Sequence, residues 1–371
     1  MKSRAGSGDL CLTRYCGGFT GMCIDRPVYR FNGMGRIKSG LIMIGKTLFS
    51  LGIFVALSAV ALADAPPRPK PQAMAQGVWL IPGSFLPDRQ PDGNTIVFDA
   101  PKGLIVMDTG RHTWQREAIL AFAKDRKKPV AAIVNSHWHL DHVSGNPDIR
   151  AAYPELKVYA SDAVGAALTG FLAKDAAAAK KDFASGKLSP DEAEDVRGDL
   201  ATVENGNALM PDIVIDKSMT RRIAGKLLAI NFAPNAATDG DVWLFDPATK
   251  IAAAGDLVTL PTPFLDTACS KGWSTALGQI EKTPFKTLIP GHGAPMTRAQ
   301  FSTYRHAFDA LLVCSASSHD AKDCATEWTK SIEPLLTPDV GTTKSAEDMT
   351  LYYVKDVLRT HGGNSESCKL K

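Results

Sequence analysis

Short apolar runs bounded by glycine, aspartate or serine recur from Gly77 onward: GVWLI, GNTIVFDA, KGLIVMDTG, VAAIVNS and LKVYAS. They constrain the fold more than any other feature of the chain, because their length and Val/Ile content suit buried strands with polar residues at the corners. A second series, KLLAINF, DVWLFD, KIAAAGD and KTLIPGHG, follows a break. In that break, from about 161 to 209, the texture shifts to Ala, Lys, Asp and Glu, including AAAAKKDF, which favours helix. Ser189-Pro190-Asp191-Glu192 offers a helix start, with an N-cap serine, proline in the first turn and an acid three residues on. A helix is expected to open near Thr297 with Gln300 as capping partner, and another near Ser345 to close before Gly362-Gly363. Strands, a helical insert, strands again and flanking helices predict sheets packed together with helices outside.

The 371 residues, 44 % hydrophobic, can bury a large core, so disordered and fibrous classes are excluded. The formal charge of +3 is unevenly placed: residues 1–63 carry eight Lys or Arg against two acids, a net +6, which leaves −3 for the remainder. With no basic patch interleaved with aromatics beyond the leader, nucleic acid is not an expected partner. The leader ends in KTLFSLGIFVALSAVALADAPP, a basic start, an apolar middle and an Ala-x-Ala ending, which describes a secretory signal peptide cut before Asp64. Left uncut, the same segment would be a membrane anchor. Met34 or Met43 is then a candidate true start. APPRPKPQ opens a proline-rich tether over residues 64–76. The expected location is outside the cytoplasm, periplasmic or secreted. There the four cysteines beyond the leader, Cys269, Cys314, Cys324 and Cys368, favour two disulfides, with Cys314–Cys324 the nearest pair in the chain.

The chemistry is concentrated at run ends. SHWHLDH, after VAAIV, places three of the chain's eight histidines, His137, His139 and His142, with Asp141 in a few positions. A strand followed by a turn can aim such side chains at one metal or two neighbouring ones, and imidazole with carboxylate suits zinc. Asp256 closes KIAAAGD and His292 lies in the turn of PGHG. Lys180 and Lys181 read as members of a solvated, charged helix.

HWHLDH, with DTG upstream and AGD and PGHG downstream in this order, resembles the metallo-β-lactamase-fold hydrolases from about Gly77 to Pro295. The resemblance implies an α+β fold: an αββα four-layer sandwich of two mixed β-sheets with flanking helices, here residues 77–371 with C-terminal helices over about 297–362. It implies that His137 and His139 serve one metal and Asp141, His142 and His292 a second, that Asp256 bridges them, and that Asp108 of DTG orients a ligand from behind. The chain departs from the family at one place. Where the family carries a further histidine in a stretch of the form AHTDGD, this sequence reads PNAATDGD, with Ala237 in the histidine's position.

Counting ligands, the group Asp141, His142, His292 and Asp256 is sufficient for a tightly held zinc, and the other position is weaker. The expectation is an exported zinc-dependent hydrolase of a small cyclic or acyl substrate (lactone, ester, thioester or β-lactam), with Asp141 steering the water and His137 or His139 as base. The alternative is a degenerate family member that binds metal or ligand without efficient turnover. Within the resemblance, Asp256 leans away from true β-lactamases, which carry cysteine or serine at that place.

Overall fold

The computed structural model describes residues 68–368 other than 88 and 338–341, and in the leader only two three-residue strands, Thr13–Tyr15 and Ile24–Arg26. The expected signal peptide, its cleavage point and the candidate starts at Met34 and Met43 lie outside the described residues.

The first sheet has seven strands in chain order: β1 (Gln72–Ala75), β2 (Val78–Ile81), β3 (Thr95–Ala100), β4 (Gly103–Met107), β5 (Val130–Val134), β6 (Lys157–Ala160) and β7 (Ile213–Val214). It is antiparallel as far as β4 and parallel from β4 to β7. The second sheet, also in chain order, comprises β8 (Met219–Ile223), β9 (Lys226–Pro234), β10 (Gly240–Asp246), β11 (Ile251–Thr259), β12 (Thr287–His292) and β13 (Met296–Thr297). Only β11 and β12 run parallel in it.

Alternation within the strands sorts side chains into layers. On β3, β4 and β5, Ile96, Phe98, Ile105, Met107, Ala132 and Val134 pack inward against Leu228, Ile230, Val242, Leu244 and Ile289 of the second sheet. Their neighbours Val97, Leu104, Val106 and Ile133 face outward, onto Ala118, Ile119 and Phe122 of α1 (Thr113–Asp125) and Ile149 of α3 (Asn146–Ala152). Between them in sequence lies the short α2 (Leu140–Val143). Strands apolar on both faces read as continuous apolar runs, which is why the sequence marks them clearly. The outer face of the second sheet, with Trp243, Phe245, Ala252 and Ala254, is covered by Trp273, Leu277 and Ile280 of α7 (Ser270–Lys282), by Phe301, Tyr304 and Phe308 of α8 (Arg298–Ser315) and by Trp328 of α9 (Ala321–Ile332). The layering is helix, sheet, sheet, helix. The remaining α-helices among the described residues are α4 (Ala163–Thr169), α5 (Phe171–Ala184) and α6 (Pro190–Glu204) between the sheets in sequence, and α10 (Thr343–Tyr352) near the end.

The capping chemistry places the helix starts. Ser189 and Glu192 form a reciprocal capping box at α6, as do Thr297 and Gln300 at α8. The last helix starts earlier than its sequence suggests: Thr342 is the cap, and Ser345 is its partner three residues on. The proline-rich tether also needs correction. Its prolines end at Pro71, so Gln72–Ala75 has the free N–H groups a ladder needs, and it pairs with β2 around Gly77 at φ +74°. The first sheet therefore starts inside the segment read as a spacer.

Cys314 pairs with Cys324 across the α8–α9 turn, and Cys269 with Cys368, closing a separation of 99 residues. No described helix is long and apolar enough to cross a membrane. If each bridge acts by restricting the unfolded chain, the longer loop contributes about 5 kcal/mol and the ten-residue one about 3. Urea unfolding of the paired Cys→Ser variants is expected to show the larger loss for C269S/C368S, by about 1–2 kcal/mol. An equal or smaller loss would contradict that origin.

Candidate metal centre

The centre forms where the parallel strands of both sheets end. β4 ends at Met107 and passes directly into Asp108, which takes φ +62°, a left-handed conformation aspartate tolerates. β5 delivers Ser136 and His137, α2 carries Asp141 and His142, β11 carries Asp256 and β12 ends on His292. Close backbone approach makes this possible. A Cβ on Gly291 would collide with the Asp256 carboxylate, and one on Gly93 with the His142 ring. Asn94 ties the His292 turn to the first sheet through its side-chain amide, which donates to Pro290 O at 3.0 Å and Gly293 O at 2.9 Å.

Asp108 orders the histidines from beneath. Its carboxylate accepts the Ser136 N–H at 2.7 Å and the Ser136 hydroxyl at 2.6 Å. It also accepts His142 Nδ1–H at 2.9 Å. Because the serine proton is committed to Asp108, Ser136 Oγ can only accept from His137 Nδ1–H, 2.9 Å away. Each ring, when neutral, is thereby left with its lone pair on Nε2. His142 Nε2 is 3.1 Å from Asp256 Oδ1 and 3.5 Å from Asp141 Oδ2, and His137 Nε2 is 3.8 Å from Asp256 Oδ2. His292 Nε2 stands 2.9 Å from Asp141 Oδ2.

Two groups of donors result, each with its ligand atoms within 4.8 Å of one another: Asp141, His142, Asp256 and His292, all buried, and His137, His139 and Asp256. All six sequence candidates are brought together. Among the described residues no other His, Cys, Asp or Glu joins either group. Ala237 is 1 % exposed and packs in the apolar cluster of the second sheet. Asp239 stays outside, and Asp241 is occupied by the backbone and hydroxyl of Thr238.

The electrostatics follow from burial and crowding. Burial opposes a charge on His142, but Asp256, Asp141 and Asp108 outweigh it and hold its pKa well above the ordinary value. Burial likewise opposes ionisation of Asp141 and Asp256, and the adjacent His142 and His292 rings overcome it and hold both carboxyls low. Burial holds His137 well below the imidazole range and His139 at about 4, so both rings are neutral near pH 7. The donor set fits a divalent metal. Nε2 of His137, Nε2 of His142 and Oδ1 of Asp256 are buried with no hydrogen-bond partner, a cost that cations bound at the two donor groups would remove.

A second buried network, not legible in the sequence, pins α6 beside the centre. Asp92 accepts from the backbone N–H groups of Arg111 and His112, from His112 Nδ1 at 2.8 Å and from Trp114 Nε1 at 2.9 Å. His112 Nε2 reaches Asp195 of α6 at 3.1 Å, and Arg89 pairs with the same carboxylate at 2.6 Å. Arg111 pairs with Asp199 of α6, and its guanidinium is 3.9 Å from Asp141 Oδ1. The one sequence signal was the Arg-His pair following DTG. Lys180 is exposed and paired with Glu204 inside the insert.

The model of the metallo-beta-lactamase superfamily matches residues 89–292, the stretch that carries every residue of both donor groups. The chain belongs to the metallo-beta-lactamase superfamily. Among curated relatives, the linear primary-alkylsulfatase of Pseudomonas sp. (strain ATCC 19151) is 25 % identical over 222 residues, 54 % of this chain and 41 % of that protein. The (R)-specific secondary-alkylsulfatase of Pseudomonas sp. is 26 % identical over 185 residues, 44 % and 27 % of the two. The chain thus spans less than half the length of either. The solved structure of the stereoselective inverting sec-alkylsulfatase Pisa1 from Pseudomonas sp. aligns with a TM-score of 0.53 at 20 % identity, covering 78 % of this chain and 50 % of that one, which shows the fold.

If Asp108 sets the His142 and His137 tautomers, Asp108→Asn is expected to weaken Zn2+ binding 10- to 100-fold in chelator competition, with secondary structure unchanged by circular dichroism. Unchanged affinity would contradict that role.

Proposed function

We propose that this superfamily member is an exported, zinc-dependent hydrolase of a small ester-type substrate. The carrying observation is the convergence of Asp141, His142, Asp256 and His292, all buried, with orphaned lone pairs among them. Asp141, His142, His292 and Asp256 would hold one tight Zn2+, and His137 and His139 with Asp256 a weaker second. When bound, the metal supplies an electrophile that polarises the scissile group and lowers the pKa of coordinated water.

The chain's own residues do the rest. Asp141, held ionised, accepts a hydrogen bond from the attacking water and steers it. Asp256 keeps His142 in place, and Arg111 offsets the crowding of carboxylates from the side of α6. His137, neutral and with Nε2 free of any hydrogen bond, is the base within reach when one metal is present. Burial weakens both rings as bases relative to an ordinary imidazole, His139 at about 4 and His137 well below its usual range, which suits both to ligand duty. The half-buried Phe264 ring, 5.0 Å from His139 and 6.5 Å from Phe171, supports an apolar group beside the reacting bond. Lactones, carboxylic esters and thioesters fit that description, β-lactams less so, and the alkylsulfatase relatives add sulfate esters. Two cysteine pairs at disulfide distance support export.

Ala237 favours a second reading, a member that holds metal without efficient turnover. The test is a hydrolysis panel of chromogenic ester, lactone, thioester, sulfate-ester and β-lactam substrates with zinc, with chelator and after zinc is restored. Turnover of at least one substrate, abolished by chelation and recovered with zinc, is expected, and Ala237→His is expected to leave or lower it. Background rates throughout, with a large gain on Ala237→His, would decide for the second reading.

A further inference from the structure

Two of the motif's histidines have their tautomers set through Asp108, but His139 is beyond its reach. His139 Nε2 instead lies 3.1 Å from Thr267 Oγ1, in the segment between β11 and α7. The Thr267 hydroxyl donates to the Ala237 carbonyl at 2.8 Å. A carbonyl only accepts, so the hydroxyl has no second proton, and toward His139 the threonine oxygen can only accept. The neutral ring must then carry its proton on Nε2 and its lone pair on Nδ1. We propose that Thr267 is a positioning residue that fixes the His139 tautomer, using the main-chain carbonyl of Ala237 to orient its own hydroxyl.

The surroundings make Thr267 a rigid support. It is 2 % exposed, and two residues on, the Cys269 N–H donates to Ala236 O at 2.8 Å, so the segment is tied to the 236–237 turn twice. From the other side the C-terminal segment holds it. The Ser365 N–H donates to Ala268 O, the Ser270 N–H to Asn364 Oδ1, and Cys269 bonds to Cys368. The ring plane of His139 is fixed by edge contacts with Trp138 at 4.6 Å and Phe264 at 5.0 Å. Thr267 thus lends His139 what Ser136 lends His137, a hydroxyl that can only accept. The position of Ala237 still serves the centre, through its carbonyl. The assignment rests on the reading of the centre as a metal site only for its consequence; the tautomer itself is a property of the metal-free protein.

The experiment is long-range proton–nitrogen correlation NMR on metal-free protein labelled with 15N-histidine, His139 being assigned by loss of its signals in His139→Gln. Wild type and Thr267→Ser are expected to show His139 with its proton on Nε2. Thr267→Val, of the same shape but unable to accept, is expected to move the ring toward the Nδ1–H form. In chelator competition, Zn2+ at the weaker position should fall by about tenfold or more in Thr267→Val and return in Thr267→Ser. A wild-type His139 protonated on Nδ1, or a tautomer indifferent to Thr267→Val, would overturn the assignment. A tautomer that moves as expected in a protein that binds no Zn2+ would uphold Thr267 and overturn the metal reading instead.

Discussion

The carboxylate of Asp108 is the constraint on which the rest of the centre depends. It lies below the ends of β4 and β5, fully buried, and accepts from the backbone and hydroxyl of Ser136 and from His142 Nδ1. A buried carboxylate is tolerable only when its lone pairs are met, and here three donors meet them. Those bonds settle the direction of two rings at once, His142 directly and His137 through Ser136. The two sheets are locked across the same place: Ser136 O accepts the Val242 N–H at 2.6 Å, joining the end of β5 to the start of β10.

Orienting the motif from outside in divides it. Asp141 and His142 belong to a four-donor group closed by Asp256 and His292, whereas His137 and His139 share only Asp256. Residues adjacent in the sequence therefore fall into two donor groups of different size. The support differs too: one half is held from the first sheet by Asp108, while His139 leans on Thr267, which is carried by the second sheet and held by the C-terminal segment. The helical insert contributes a third hold, since α6 supplies Asp195 and Asp199 to the buried cations that follow the DTG turn.

Much of this was legible in the sequence, for physical reasons. Strands with apolar residues on both faces announce themselves as runs, and HWHLDH, AGD and PGHG mark the strand ends where polar side chains must cluster. The edge strands were not legible. Gln72–Ala75 follows a proline cluster, and Met219–Ile223 reads as polar because three of its five residues are exposed. The network around Asp92 and the support of Thr267 were also missed. Their partners lie 19 to 128 residues away in the chain, so no local pattern of residue types records them.

The central claim is that the chain holds one metal tightly, on Asp141, His142, Asp256 and His292. Metal content measured by atomic emission on purified protein, loaded with zinc and desalted, tests it most directly. One equivalent of zinc per chain, lost in Asp141→Asn and in His292→Gln but kept in His139→Gln, is the predicted result. Two tightly held equivalents, or one that His139→Gln removes and His292→Gln does not, would contradict it.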